Sequence, residues 1–95
     1  MPNAYKITQK DERCFSLDII HPEGKHFTLE ELGKHVGGYI EVVPTLDERL
    51  KDYMVFVDED AKLKENPLVN QYMLSNFNME LVGTVLIIPR AGEGE

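Results

Sequence analysis

The chain has 95 residues and a mass of 10.9 kDa, with 17 Asp and Glu against 10 Lys and Arg, a formal charge of −7 and a pI near 4.9. A chain this short buries about 60–65% of its unfolded surface, enough for one core and too little for a two-domain enzyme with an interdomain cleft. Its 42% hydrophobic and 28% charged content is that of a globular chain, and an acidic balance with no basic run excludes direct binding to a nucleic-acid backbone, which takes clustered Lys and Arg.

In residues 4–9, Tyr5 and Ile7 fall on one side of an extended segment; in residues 14–20, Phe15, Leu17 and Ile19 fall opposite Cys14, Ser16 and Asp18. This period-two alternation predicts two strands joined by the charged turn Lys10-Asp11-Glu12-Arg13, an N-terminal hairpin. After the turn His21-Pro22-Glu23-Gly24, Thr28 and Glu31 have the spacing of a capping box, with Phe27 and Leu32 placed to staple it. A helix is expected over 28–36, with Leu29, Leu32 and Val36 on its inner face, Glu30 and Lys34 paired on the outer one, and Gly37-Gly38 as its left-handed exit. Gly33 inside that helix costs about 1 kcal/mol relative to alanine.

Tyr39 to Val43 reads as a strand stopped by Pro44. The polar loop Thr45 to Asp52 leads to a second β-branched and aromatic run, Tyr53 to Val57. Both runs are nearly continuously apolar, which predicts central strands covered on part of each face. The acidic turn Asp58-Glu59-Asp60-Ala61-Lys62 follows. Asn66-Pro67 has the form of an N-cap with proline at the first helical position, predicting a short helix with Val69, Met73 and Phe77, or Leu68 and Tyr72, turned inward. Gly83 precedes a last strand, Thr84 to Pro89, also expected to be central. The fold class is α+β: a single small domain over 4–90, order β-β-α-β-β-α-β, a mixed or antiparallel sheet with two helices. Ala91 to Glu95 has the composition of a flexible tail.

Cys14 is the only cysteine, which excludes an intrachain disulfide and fits a reducing compartment. The first residues have no apolar stretch of the secretory kind, and the apolar runs are too short to cross a bilayer, so a cytoplasmic protein is expected. His21, His26, His35 and Cys14 lack the i,i+4 or C-x-x-C spacing of zinc ligands, and surface or helix-end roles account for them; Glu31 and His35 can pair at i,i+4, and His35 gains from the helix dipole when protonated. Asp58 and Asp60 match positions 1 and 3 of a calcium loop, its first two ligands, but Lys62, Leu63 and Val69 stand where its third ligand, turn glycine and closing glutamate belong. Ser16, Ser75, Thr8, Thr28, Thr45 and Thr84 lack a nucleophile motif. Gly37-Gly38 lies at a helix C-terminus, whose negative dipole end disfavours phosphate. No catalytic residue, metal ligand or cofactor is assigned.

The run from Leu29-Glu30-Glu31-Leu32 through Val36-Gly37-Gly38-Tyr39-Ile40-Glu41-Val42-Val43, the acidic turn Asp58-Glu59-Asp60-Ala61-Lys62-Leu63, the segment Asn66-Pro67-Leu68-Val69-Asn70 and the entry Leu81-Val82-Gly83-Thr84-Val85-Leu86-Ile87 together resemble the DUF3846 family, a domain of unknown function. The resemblance covers most of 27–89 and departs at Ala61, where glycine is expected. It implies a phage, plasmid or other bacterial mobile-element setting, and no enzyme activity or functional residue.

The function expected from these features is that of a non-catalytic accessory protein, in the cytoplasm of a bacterial host, that binds a host or phage protein through an acidic face. Asp47, Glu48, Asp52, Asp58, Glu59 and Asp60, with Tyr39, are the candidate binding residues. The alternative is a nucleotide-signal sponge, in which a homo-oligomer supplies the pocket that one small core lacks and Tyr39, Tyr53 and Tyr72 stack on a base.

Overall fold

The computed structural model describes residues 3–90, and its N-terminal part is the hairpin that the alternation predicts. β1 (Ala4–Gln9) and β2 (Phe15–Ile20) are followed by α1 (Leu29–Val36), β3 (Ile40–Val43), β4 (Tyr53–Asp58), α2 (Gln71–Phe77) and β5 (Val85–Pro89). Every neighbouring pair is antiparallel, and the strand order is β2-β1-β5-β4-β3. The predicted tail, 91–95, lies outside the described residues.

Successive side chains of a strand point to opposite faces, and here both faces are covered. Val55, Val57, Val85, Ile87 and Ile7 pack with Met73 of α2 on one face, while Phe56, Leu86, Ile88 and Ala4 pack with Leu32 and Val36 of α1 on the other. This explains why β4 and β5 are apolar at almost every position: they lie in the middle of the sheet, between two helices. β5, last in the chain, is the central strand.

The sheet order corrects the expectation for 39–43. β3 is an edge strand of four residues, with Glu41 and Val42 exposed. Its apolar content reflects Ile40 packing on the α1 side and Val43 on the α2 side, not a position between two strands.

α1 forms with the capping box expected of it. The Thr28 hydroxyl accepts from the Glu31 N–H at 3.1 Å and the Glu31 carboxylate accepts from the Thr28 N–H at 3.1 Å, satisfying donors that a helix start leaves free. Phe27 packs in the same cluster as Leu32, and Glu30 pairs with Lys34 at 3.7 Å. Leu29 does not join the inner face; at the first helical position it points outward and is 75% exposed. Nor does His35 pair with Glu31: burial and then the Lys6 charge hold its imidazole below the ordinary value, more than Glu31 raises it.

The second helix starts later than its proline suggests. Asn66 is in the left-handed region (φ 56°), and the N-cap is Asn70. Asn70 is fully buried: its Oδ1 accepts from the Met73 N–H at 3.1 Å, and its Nδ2 donates to the Ile7 carbonyl at 3.1 Å and the Gly83 carbonyl at 2.9 Å. The first helical N–H, of Gln71, donates to the Gln9 side chain at 2.8 Å. A cap that binds β1 and the entry to β5 in the same step outcompetes the local Asn-Pro signal, because buried polar groups must all be satisfied.

Candidate functional site

The end of the sheet where α1 gives way to β3 is built on three glycines and one buried carboxylate. Gly37 ends α1 in the left-handed conformation (φ 86°), and the Gly33 carbonyl accepts from both the Gly37 N–H, at 2.8 Å, and the Gly38 N–H, at 3.0 Å. The chain therefore folds back over Gly33, where a Cβ would lie 2.9 Å from the Gly38 carbonyl oxygen. Gly38 in turn lies against the carboxylate of Asp58, with a Cβ there falling 2.9 Å from Oδ1. The three positions thus need glycine for separate reasons, one conformational and two steric.

Asp58 closes β4 opposite Ile40 and is 5% exposed. Its Oδ1 accepts from the Asp60 N–H at 2.9 Å, and its Oδ2 is ion-paired with the Lys64 ammonium, which also donates to the Gly37 carbonyl at 2.8 Å. Lys64 thus sits between a carboxylate and the negative end of α1. Burial acts to raise the Asp58 pKa, but the Lys64 contact and the Asp60 N–H together outweigh it and hold the carboxyl below the ordinary carboxylate value. The acidic turn follows as a 3-10 turn, Ala61–Leu63, a right-handed conformation that alanine adopts without strain, so Ala61 fits where the resemblance leads to an expectation of glycine.

Beside this junction, on the α2 side of the sheet, a groove of about 270 Å³ runs between β3 and residues 80–82. Val43, Val57 and Leu81 give it an apolar lining; Glu41, Glu59 and Glu80 bring three exposed carboxylates and Lys62 one ammonium. A second hollow of about 210 Å³ is lined by the 64–68 segment, Gln9 and 82–84. Among the described residues, no group of three or more His, Cys, Asp and Glu side chains is placed to hold a metal ion.

The candidate acidic residues do not share one face. Asp52 precedes β4 and Asp58 ends it, and six steps at about 3.4 Å set the two sheet ends roughly 20 Å apart. At the far end, Asp47 caps the short turn Glu48–Leu50 and its carboxylate binds Arg49 at 3.0 and 2.7 Å, so that the hydrogen bonds from Arg49 lower its pKa. Arg49 also donates to the Asn76 carbonyl at 2.6 Å and stacks over Phe77, which makes Asp47 a tether between this loop and α2. Glu48 and Asp52 are exposed beside it. At the near end the structure brings together Tyr39, Asp58, Glu59 and Asp60; the Glu59 N–H donates to the Tyr39 carbonyl at 2.9 Å. Asp58 is buried and occupied by Lys64, whereas Glu59, Asp60 and Tyr39 are accessible. Tyr53 and Tyr72 pack against the α2-side core, leaving Tyr39 as the exposed ring of the three candidates for stacking.

Sequence reasoning missed Glu41 and Glu80 as partners of Glu59. Glu41 carried a signal, since a lone charge within an apolar strand marks an open edge. Glu80 carried none; it is placed by the return of the chain from α2 to β5, where Val69 and Val82 form a β-bridge.

No helix among the described residues is long and apolar enough to cross a membrane. Neither the comparison with curated proteins nor that with solved structures returns a match. The sequence profile of a domain of unknown function, DUF3846, matches residues 7–95, so the likeness extends past the acidic turn and the glycine pair to most of the N-terminal hairpin. With nearly the whole length matched, and with the glycines and the acidic turn accounted for as one structural junction, the chain belongs to the DUF3846 family.

Proposed function

We propose that this is a non-catalytic binding protein that takes a Lys- or Arg-bearing segment of a partner protein into the groove beside β3. The observation that supports this reading most is the pairing of an apolar lining, Val43, Val57 and Leu81, with the carboxylates of Glu41, Glu59 and Glu80. Long cationic side chains have the same division, an apolar stem and a charged head. The dispersal of the other acids narrows the expected acidic face to this one end of the sheet. The phage or mobile-element setting that the resemblance implies makes a host or phage protein in the bacterial cytoplasm the fitting partner. A nucleotide sponge is less well supported, because the carboxylates around the groove repel phosphate.

Titration of isotope-labelled protein with a short Lys- and Arg-rich peptide tests the reading by NMR. Shifts are expected to cluster at Glu41, Val43, Val57, Glu59 and 80–82, to fade as salt is raised, and to vanish in the triple variant Glu41→Gln, Glu59→Gln, Glu80→Gln. Shifts spread evenly over all acidic residues, or unchanged in the triple variant, would overturn it.

A further inference from the structure

The two open edges of the sheet are not alike. β3 is four residues long, carries Glu41 and runs into Pro44, all devices that blunt an exposed edge. β2 is six residues long, has no proline or lysine, and exposes Phe15, Leu17 and Ile19 at 43%, 48% and 53%. These three side chains lie on the α2 side, opposite Gln9, Ile7 and Tyr5 in the register with β1.

The backbone of β2 is equally open. The Lys10 N–H donates to the Cys14 carbonyl at 2.8 Å, and in an antiparallel ladder hydrogen-bonded pairs alternate. Ser16, Asp18 and Ile20 therefore bond inward to β1, while the N–H and C=O groups of Phe15, Leu17 and Ile19 face the free edge.

From these observations we infer that β2 pairs with β2 of a second copy across a two-fold axis at Leu17, joining two five-stranded sheets into one of ten strands. In this register Leu17 faces its own copy and Phe15 faces Ile19 of the other, so all the free backbone groups of these three residues are matched in hydrogen-bonded pairs. The apolar side chains of both copies merge into one strip on the α2 side. On the other side Asp18 falls opposite Ser16 of the second copy, a hydrogen-bonding pair. A shift of the two-fold by one residue in one direction sets Asp18 against Asp18, and in the other pairs Ile19 with the turn residue Arg13.

Charge does not oppose a second copy at this edge. Residues 4–21 carry Lys6, Lys10 and Arg13 against Asp11, Glu12 and Asp18, so the hairpin is neutral and the whole −7 lies in the remainder of the protein. Two like-charged molecules thus meet at their uncharged ends. Three half-exposed apolar side chains per copy are far fewer than the roughly 20–30 residues a side of a standard interface, so the dimer is weak and populated only at high concentration.

Sedimentation velocity on the full chain, from a few micromolar to about a millimolar, is the test. The expected result is a mass rising from 10.9 kDa towards twice that value, and a fall of at least tenfold in self-association for Leu17→Lys, whose half-exposed side chain allows the fold to be kept and checked by circular dichroism. In a second readout, Ser16→Cys and Asp18→Cys proteins, both carrying Cys14→Ser, are mixed and mildly oxidised. Directly opposed non-hydrogen-bonded pairs have Cα atoms about 4.5 Å apart, within disulfide range, so from equal amounts the mixed disulfide should exceed the two homodimers together, the share that random pairing would give it. A monomer at every concentration, association untouched by Leu17→Lys, or no excess of the mixed disulfide would overturn the inference. None of these outcomes bears on the groove beside β3, which lies at the opposite edge.

Discussion

Single residues carry more of this structure than their local context suggests, and Asn70 is the clearest case. As an N-cap it is replaceable by Asp at little cost, but its amide also donates to two buried carbonyls, those of Ile7 and Gly83. Asn70→Ala removes three buried hydrogen bonds and is expected to cost about 3 kcal/mol, at roughly 1 kcal/mol each. Asn70→Asp keeps the cap yet turns a carboxylate towards two carbonyl oxygens away from water, so it is expected to destabilise at least as much. Urea unfolding of the two variants decides between the roles; an Asn70→Asp protein as stable as the parent would leave only the cap.

Among the elements, α1 shows how a propensity argument can be right and still mislead. Gly33→Ala should stabilise an isolated helix by about 1 kcal/mol. In the folded chain the new Cβ meets the Gly38 backbone oxygen at 2.9 Å, and Gly38 is itself held by its N–H bond to the Gly33 carbonyl and by the Asp58 carboxylate against its Cα. The expected net effect is a loss of about 1–3 kcal/mol, the range of an overpacked site, read as a lowered melting temperature. A raised melting temperature would mean that the reversal shifts freely. The helix start behaved as its sequence implied, since a capping box closes on itself within four residues and needs nothing from the rest of the fold.

For the whole molecule, charge and acid stability are linked through groups that folding has shifted. Asp58 is below its ordinary value through Lys64 and Asp60 against opposing burial, Glu31 through the N–H groups of Glu23 and Thr28, and His35 through burial and Lys6. A depressed pKa means that the unfolded chain takes up the proton first, so each contribution is complete above the unfolded value and is lost as pH falls through the folded one. Stability should therefore start to decline below about 6.5 as His35 titrates in the unfolded chain, and fall more steeply below about 4.5 as the carboxylates follow. Lys64→Met removes the main cause that lowers Asp58 and leaves burial to raise it, so its acid unfolding midpoint should move to higher pH, with Lys64→Arg near the parent. Urea midpoints at pH 7, 5, 4 and 3 measure this, and an acid profile unchanged in Lys64→Met would show that Asp58 does not depend on its partner.

The sequence by itself determined the elements whose stabilising groups are close together in the chain: the hairpin from its alternation, α1 from Thr28 and Glu31, its end from Gly37, and the order of strands and helices. Local order also sufficed to identify the family, because the glycine pair and the acidic turn are short contiguous runs. The tertiary structure alone decided which strands are central, that β3 is an edge, that α2 begins at Asn70, and that Glu41, Glu59 and Glu80 border one groove while Asp47 and Asp52 lie at the other end of the sheet. Each of these depends on contacts between residues many positions apart, such as Asn70 with Ile7 or Asp58 with Gly38, and hydrophobic periodicity cannot encode them. A strand buried on both faces and an edge strand with one apolar residue towards each helix look alike in sequence, and only the neighbour that pairs with them tells them apart.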